Sequence, residues 1–332
     1  MPPIIGITIG DVNGIGPELI LKTISSLDSN EQVPLIIGPV QALKKYETLV
    51  SGEWNYNIIQ DVSDIKYGKV NILDDGTEEV VITPGIQSSD GGKIAMNSIE
   101  RTIELCISRK IDAMVTSPIS KEAVNLAGYE IPGHTEFLAD KTDTSEVLMM
   151  LVNEGLRVAL VSTHVPISAV ANEITKERII RKAQILDRSL RTDFRISEPK
   201  IAVFGLNPHA GDGGVIGEEE ITIINPAMEE IKRIGINAEG PFPADGFFGQ
   251  KLHEKFDAIL AMYHDQGLVP FKLLSFGSGV NFTAGLPIIR TSPDHGTAFN
   301  IAGKGVADPS SFLKAFSLAV ELVKNNDKAD VS

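Results

Sequence analysis

Cysteine occurs once in 332 residues, at Cys106. No intrachain disulfide can form, so a reducing cytoplasm suits the chain, and the thiol is expected as a buried structural group in a helix over 94–107. Long apolar runs are missing as well. No uncharged stretch approaches the ~20 residues that span a bilayer, which excludes a membrane partner of that kind. The opening MPPIIGITIG has neither a basic n-region nor a cleavage site and does not read as a signal peptide. Positive charge is scarce: Lys+Arg 30 stand against Asp+Glu 44, a formal net charge of −14. Without a Lys/Arg stripe there is no basic face to neutralise phosphates, so nucleic acid is excluded as a partner. An anionic small molecule remains compatible, provided a few cations gather locally.

Repeats, low-complexity tracts and linkers are absent too, and so are several familiar motifs. There is no HExxH, no CxxC and no GxSxG elbow. The turn Gly10-Asp11-Val12-Asn13-Gly14-Ile15-Gly16 follows an apolar strand over 4–9 and precedes a helix opened by Pro17. Its glycine spacing matches neither the dinucleotide fingerprint nor the P-loop. It either presents backbone N–H groups to an anion or is a tight turn and nothing more.

What is present is an alternation of strands and helices, the mark of an α/β fold. Strands are expected over 33–37, 111–115, 200–206 and 258–262, and helices over 42–50, 93–108, 174–190, 218–234 (interrupted by Pro226) and 311–323. Asn153-Glu154-Gly155 joins apolar runs over 147–152 and 156–161 as a hairpin, so the sheet is expected to be mixed. The tail 324–332 is expected to fray.

Three histidines share one context. His164 follows the apolar run 156–161, His209 follows 201–206, and His264 follows 258–262. In open α/β sheets ligands bind beyond the carboxyl ends of strands. If the three strands run parallel, the rings emerge at one edge and make a divalent-metal site with positions left open for substrate. The alternative for any single ring is a core or surface role, and His253 in KLHEK is expected at the surface. His134 precedes Thr135 in Gly133-His134-Thr135-Glu136. Thr135 is expected as a helix cap, with the N–H groups behind it and His134 able to hold a phosphate.

The stretch 257–309 gathers more polar groups than a core strand needs: Asp265, Lys272, Asn281, Arg290 and the loop Asp294-His295-Gly296-Thr297-Ala298. Arg290 offers a fork for an oxyanion and Lys272 a point charge.

The blocks GHTEFLAD, STHVPI, LNPHAGDGGVIGEE, GPFPAD, YHDQGLVPFK and VNFTAGLPIIRTSPDHGTAFNIAGKG, in this order, resemble the 4-hydroxythreonine-4-phosphate dehydrogenase family over nearly the whole chain. The final loop is also similar to the nucleotide loop of isocitrate and isopropylmalate dehydrogenases. The resemblance implies two α/β/α lobes with a central cleft and a mixed sheet, lobe 1 from 1–130 with 286–332 and lobe 2 from 131–285. It implies that His164, His209 and His264 bind one divalent metal (zinc, cobalt or magnesium), and that His134, Thr135, Lys272, Asn281 and Arg290 bind a phosphorylated substrate. Asp294, His295, Gly296, Thr297 and Gly303 are implied to hold NAD, with NADP the alternative. Asp245 and Asp265 are the candidates for proton handling or for orienting a ligand.

The implied enzyme is a cytoplasmic homodimer with its site at the interface. It oxidises 4-phosphooxy-L-threonine, or in relatives 4-phospho-D-threonate or 4-phospho-D-erythronate. Two departures bear on that choice: Asp11-Val12-Asn13 stands where members often carry Glu-Pro-Ala, and Gly246 stands where a hydroxyl residue is common.

Overall fold

A computed structural model describes residues 1–327 except 53, 75, 77–79 and 132; the end of the expected frayed tail, 328–332, lies outside them. The chain divides into two compact units, 1–145 with 286–324, and 146–285 with the chain from Asn325.

In the first unit the strands β1 (Ile4–Thr8), β2 (Val33–Ile37), β3 (Asn57–Ile59), β4 (Asn71–Leu73), β5 (Ala113–Val115) and β12 (Ile289–Pro293) lie in the order β3-β4-β2-β1-β5-β12. Every pairing among them is parallel. Strand β2 is buried at each residue, as a strand covered on both faces must be, which is why it reads as a continuous apolar run. Helix Ser89–Ile107 covers one face. Ser88 caps it by accepting from the Gly91 N–H, and Ile94, Ile99 and Ile103 turn inward at helical spacing. Cys106 is 7% exposed and its thiol is pushed up to about 12 by burial, as a structural cysteine should be.

The first boundary falls at 145/146 rather than at the expected 130. The reason is packing: helix His134–Lys141 sends Phe137 and Leu138 into the same core as Met96, Ile99 and Met114, so it belongs with the first unit. One local reading also shifts. The helix expected over 42–50 spans Val40–Tyr46 and tightens into a 3-10 turn at Glu47–Leu49. The segment 51–90, where short strands and turns are expected, contributes the short strands β3 and β4.

The second unit contains β6 (Leu148–Asn153), β7 (Leu156–Leu160), β8 (Ile201–Phe204), β9 (Ala238–Phe242), β10 (Ala258–Ala261) and β11 (Val280–Ala284), in the order β11-β6-β7-β10-β8-β9. The pairs β11/β6 and β6/β7 are antiparallel, the latter being the expected hairpin. The pairs β7/β10, β10/β8 and β8/β9 are parallel. The sheet of this unit is therefore mixed. The helix expected over 218–234 changes form at Pro226, as its interruption there implied. Pro226 sits in the first turn of helix Asn225–Arg233, and the π-helical turn Glu220–Ile224 that leads into it accommodates the N–H that proline lacks.

Leu138 is fully buried. Leu138→Ala is expected to destabilise the first unit by about 2–5 kcal/mol through lost burial and a residual cavity. The single tryptophan, Trp54, lies in that unit, so urea unfolding followed by its fluorescence reads the effect directly.

Candidate active site

The parallel register of β7, β10 and β8 sets the edge from which the second unit works. Leu160 pairs with Ala261, and Leu260 with Val203, so the three strands end side by side. His164, His209 and His264 each follow one of these ends. His264 opens helix His264–Ser275, which lies close against β7 because of Gly267. A Cβ at Gly267 would stand 2.8 Å from the Leu160 side chain and 2.9 Å from that of Val158. The His264 Nδ1 meets the Asp265 carboxylate at 2.7 Å, which leaves Nε2 as the available ring nitrogen. The ring of His164 lies 5.9 Å from that of His264, centroid to centroid.

His209 sits in a separate turn with left-handed backbone, φ 52°. Among the described residues no three His, Cys, Asp or Glu side chains form a group that could hold a metal ion. The structure thus brings the rings of His164 and His264 together. His209 lines a cavity of about 580 Å³ with Asn207, Asp245, Tyr263, Asp265 and Gln266. Asp245, exposed in helix Ala244–Gly249, faces this space without touching the imidazole pair in any recorded contact. The donor chemistry fits a divalent cation: two adjacent imidazoles, one oriented by a carboxylate, suit zinc or cobalt better than magnesium, which prefers oxygen.

Elsewhere in the second unit, Lys272 is exposed on helix His264–Ser275. Asn281 lies in β11 opposite Leu151, and its Oδ1 is enclosed without a hydrogen-bond partner. His253, expected at the surface, is half-buried. It packs 5.6 Å from the Phe248 ring because its short 3-10 turn closes over the aromatic cluster of Phe242, Phe247 and Phe256.

The first unit holds a different receptor. Arg290, on β12, is 1% exposed, and its guanidinium donates to Thr116 Oγ1 through Nε at 3.0 Å and Nη2 at 2.6 Å. Burial lowers its pKa to about 10, still charged at neutrality. His134 begins helix His134–Lys141, with Gly133 as the cap residue, so Thr135 is the second residue of the helix and not its cap. The His134 Nε2 is shut away from solvent with no partner. Burial, then the positive charges of Arg290 and Lys121, push the imidazole down to about 3. A neutral ring with an unused nitrogen, a desolvated guanidinium and the open N–H groups of a first helical turn together make an anion receptor. Thr116 and Lys121 were not singled out in the sequence. Their signal was the polar run Thr116-Ser117-Pro118-Ile119-Ser120-Lys121 closing a core strand.

The loop after β12 is tied to the first unit at both ends. The Asp294 N–H donates to Ser311 Oγ, Thr297 O accepts from the Ile15 N–H, and Gly303 turns at φ 75°. The turn 10–16 is thereby engaged by the loop: besides the Ile15 bond, Tyr46 donates its hydroxyl to the carbonyls of Val12 and Gly14. His295 and Gly296 are exposed at the tip. A carboxylate, an imidazole and a hydroxyl along an exposed backbone suit the hydroxyls and phosphates of a nucleotide, so the donor set fits NAD.

These receptors place the chain in the class of two-unit α/β enzymes that act on anionic substrates. Residues 30–319 match the family model described as pyridoxal phosphate biosynthetic protein PdxA. A 4-hydroxythreonine-4-phosphate dehydrogenase of Bacteroides thetaiotaomicron is 44% identical over 98% of this chain and 90% of its own length. A D-threonate 4-phosphate dehydrogenase of Cupriavidus necator is 43% identical over 96% of this chain and 97% of its own. The crystal structure of 4-hydroxythreonine-4-phosphate dehydrogenase from Klebsiella pneumoniae superposes with a TM-score of 0.86 at 37% identity, covering 97% of this chain and 98% of that one. The chain belongs to the PdxA family.

The depressed pKa of His134 makes a pH prediction. Its folded value, about 3, lies below the ordinary 6.5, so between these values the unfolded state binds the proton and the folded state does not. The stability that neutral His134 permits is complete above pH 6.5 and is lost as pH falls toward 3. In heteronuclear NMR at pH 5 the His134 ring nitrogens should still carry the shifts of a neutral imidazole.

Proposed function

We propose that this dehydrogenase oxidises the C3 hydroxyl of 4-phosphooxy-L-threonine with NAD to 2-amino-3-oxo-4-phosphooxybutanoate. That β-keto acid loses CO2 to give 3-amino-2-oxopropyl phosphate, a step in the making of pyridoxal phosphate. The observation that carries the reading is a buried Arg290 guanidinium held on Thr116, together with an enclosed His134 Nε2 that has no partner, groups suited to the substrate's anions. The reading places the enzyme in the cytoplasm; among the described residues no helix is long and apolar enough to cross a membrane.

Arg290 binds a substrate oxyanion as a fixed fork, its geometry held by Thr116. His134 offers its unused Nε2, and Thr135 its backbone N–H, to the same group. Lys272 adds a point charge and Asn281 a hydrogen bond donated by its side-chain N–H, while its orphaned Oδ1 can accept from a substrate hydroxyl or ammonium. His164, His209 and His264 would hold the cation, and Asp265 fixes the His264 ring so that Nε2 points outward. Asp294, His295, Gly296, Thr297 and Gly303 would hold NAD, and the Asp294 carboxylate suits ribose hydroxyls better than a 2′-phosphate. When bound, the cation would supply a lowered pKa for the C3 hydroxyl, as a bound metal does for water (15.7 to about 7), and NAD would supply the hydride acceptor. Asp245 takes up the released proton from its exposed place in the cavity that His209 lines.

The same residues serve 4-phospho-D-threonate, in which a hydroxyl replaces the amine. The Cupriavidus necator relative favours that second reading nearly as strongly as the Bacteroides one favours the first.

The reading also takes the enzyme as a homodimer, with His209 of one copy completing the imidazole pair of the other. The exposed apolar residues on the helix that His264 opens, Val269 (55%) and Leu273 (69%), with Phe276 (91%) just beyond its end, support this.

NADH absorbance with cobalt or zinc, offered 4-phosphooxy-L-threonine and 4-phospho-D-threonate in parallel, decides the substrate. Turnover of the amino acid alone establishes the first reading, and turnover of the sugar acid alone the second. His264→Ala is expected to lower kcat/KM by more than about 100-fold, equivalent to about 2.7 kcal/mol of transition-state stabilisation. If ligands cross between copies, mixing inactive His209→Ala and His264→Ala proteins should restore about a quarter of wild-type activity, because random pairing leaves one intact site in each mixed dimer. No recovery, with mixed dimers demonstrated, would mean each chain builds its site alone.

A further inference from the structure

The loop that carries His209 is held in a costly backbone conformation. His209, Ala210 and Asp212 all have positive φ (52°, 50° and 45°), and Gly211 and Gly213 continue the run. Left-handed non-glycine residues persist only where the surroundings over-determine them. Two side chains supply that determination.

The first is Glu220, 3% exposed, at the start of the π-helical turn Glu220–Ile224. Its Oε1 accepts from the N–H groups of Leu206 and Asn207 at 2.7 and 2.8 Å, and its Oε2 accepts from Asn207 Nδ2 at 2.9 Å. The loop closes tightly over this carboxylate: a Cβ at Gly211, where φ is 80°, would stand 2.5 Å from Oε2. The second is Gln266, whose carboxamide spans two strand ends. Its Oε1 accepts from the Met262 N–H at 2.7 Å, just past β10, and its Nε2 donates to Gly205 O at 2.7 Å, just past β8. The recorded register of these strands stops at Leu260 and Val203. Beyond it, the Gln266 side chain takes over the work of the ladder.

We propose that Gln266 and Glu220 are positioning residues for His209: together they fix its loop against the ends of β8 and β10, so that the ring is presented in one place whichever copy supplies the other ligands. This rests on the reading of His209 and His264 as ligands. It adds that the place of the His209 ring is set by a carboxamide strut and a buried carboxylate, neither of which is itself a ligand. A strut of this kind has a chemical signature. Removing it should loosen the ligand arrangement, and so weaken and reshape metal binding, without removing a ligand.

The test uses the full-length protein and cobalt alone. Gln266→Met keeps the volume and loses both hydrogen bonds; Glu220→Ala removes the carboxylate, and Glu220→Gln restores an acceptor for the two N–H groups. Cobalt affinity is measured by chelator competition, ligand geometry by the visible absorption of the bound ion, and folding by thermal melting. Gln266→Met and Glu220→Ala should each weaken cobalt binding by about 10–100-fold and move the spectrum toward that of His209→Ala, with Glu220→Gln close to wild type. Gln266→Met that melts lower yet keeps wild-type cobalt affinity and spectrum overturns the proposal, leaving the strut a folding element only. Should Glu220→Ala fail to fold, the Gln266→Met comparison decides alone. If His209→Ala itself leaves cobalt binding unchanged, the ligand reading falls first, and the strut proposal with it.

Discussion

The second unit depends on one constraint: three parallel strands, β7, β10 and β8, hydrogen-bonded side by side and ending at one level. Parallel pairing spaces the ladder evenly and points every carboxyl end the same way, so residues just past those ends share an edge whatever their distance in sequence. The histidines at 164, 209 and 264 become neighbours of strands in this way. Packing refines what pairing begins. Gly267 lets the helix headed by His264 approach β7, and the Asp265 carboxylate then selects which ring nitrogen is left to bind.

Desolvation does the corresponding work in the first unit. Arg290 is buried with its fork directed by a threonine hydroxyl, and its charge, with that of Lys121, helps burial keep His134 neutral. A guanidinium stripped of water binds an anion more strongly than a surface one does, since fewer competing solvent contacts must be displaced. A neutral imidazole beside it can choose its proton position to suit the ligand.

Much of this was legible in the chain. The apolar runs at 33–37, 111–115 and 258–262 announced buried strands, and Asn153-Glu154-Gly155 announced the hairpin. The shared context of three histidines pointed to one strand edge before any strand order was known. Other features were not legible. Thr135 looked like a cap, but Gly133 takes that place, because capping depends on where the backbone leaves the helical region and not on residue type alone. His253 looked solvent-facing in KLHEK, yet the turn it occupies folds onto Phe248. The boundary expected at 130 moved because Phe137 and Leu138 found their partners in a helix forty residues earlier in the chain.

By itself the sequence determined the α/β class, the mixed character of the sheet and the identity of the chemically capable side chains. Those properties follow from local periodicity, turn chemistry and residue type, all of which can be read within a few positions. Only the tertiary structure decided which of these side chains meet. It joined Arg290 to Thr116 across 174 positions and Gln266 to Gly205 across 61, and it set the His164 ring beside that of His264. Such pairings depend on strand order and on burial, which are set by how the whole core packs and have no trace in any short stretch of chain.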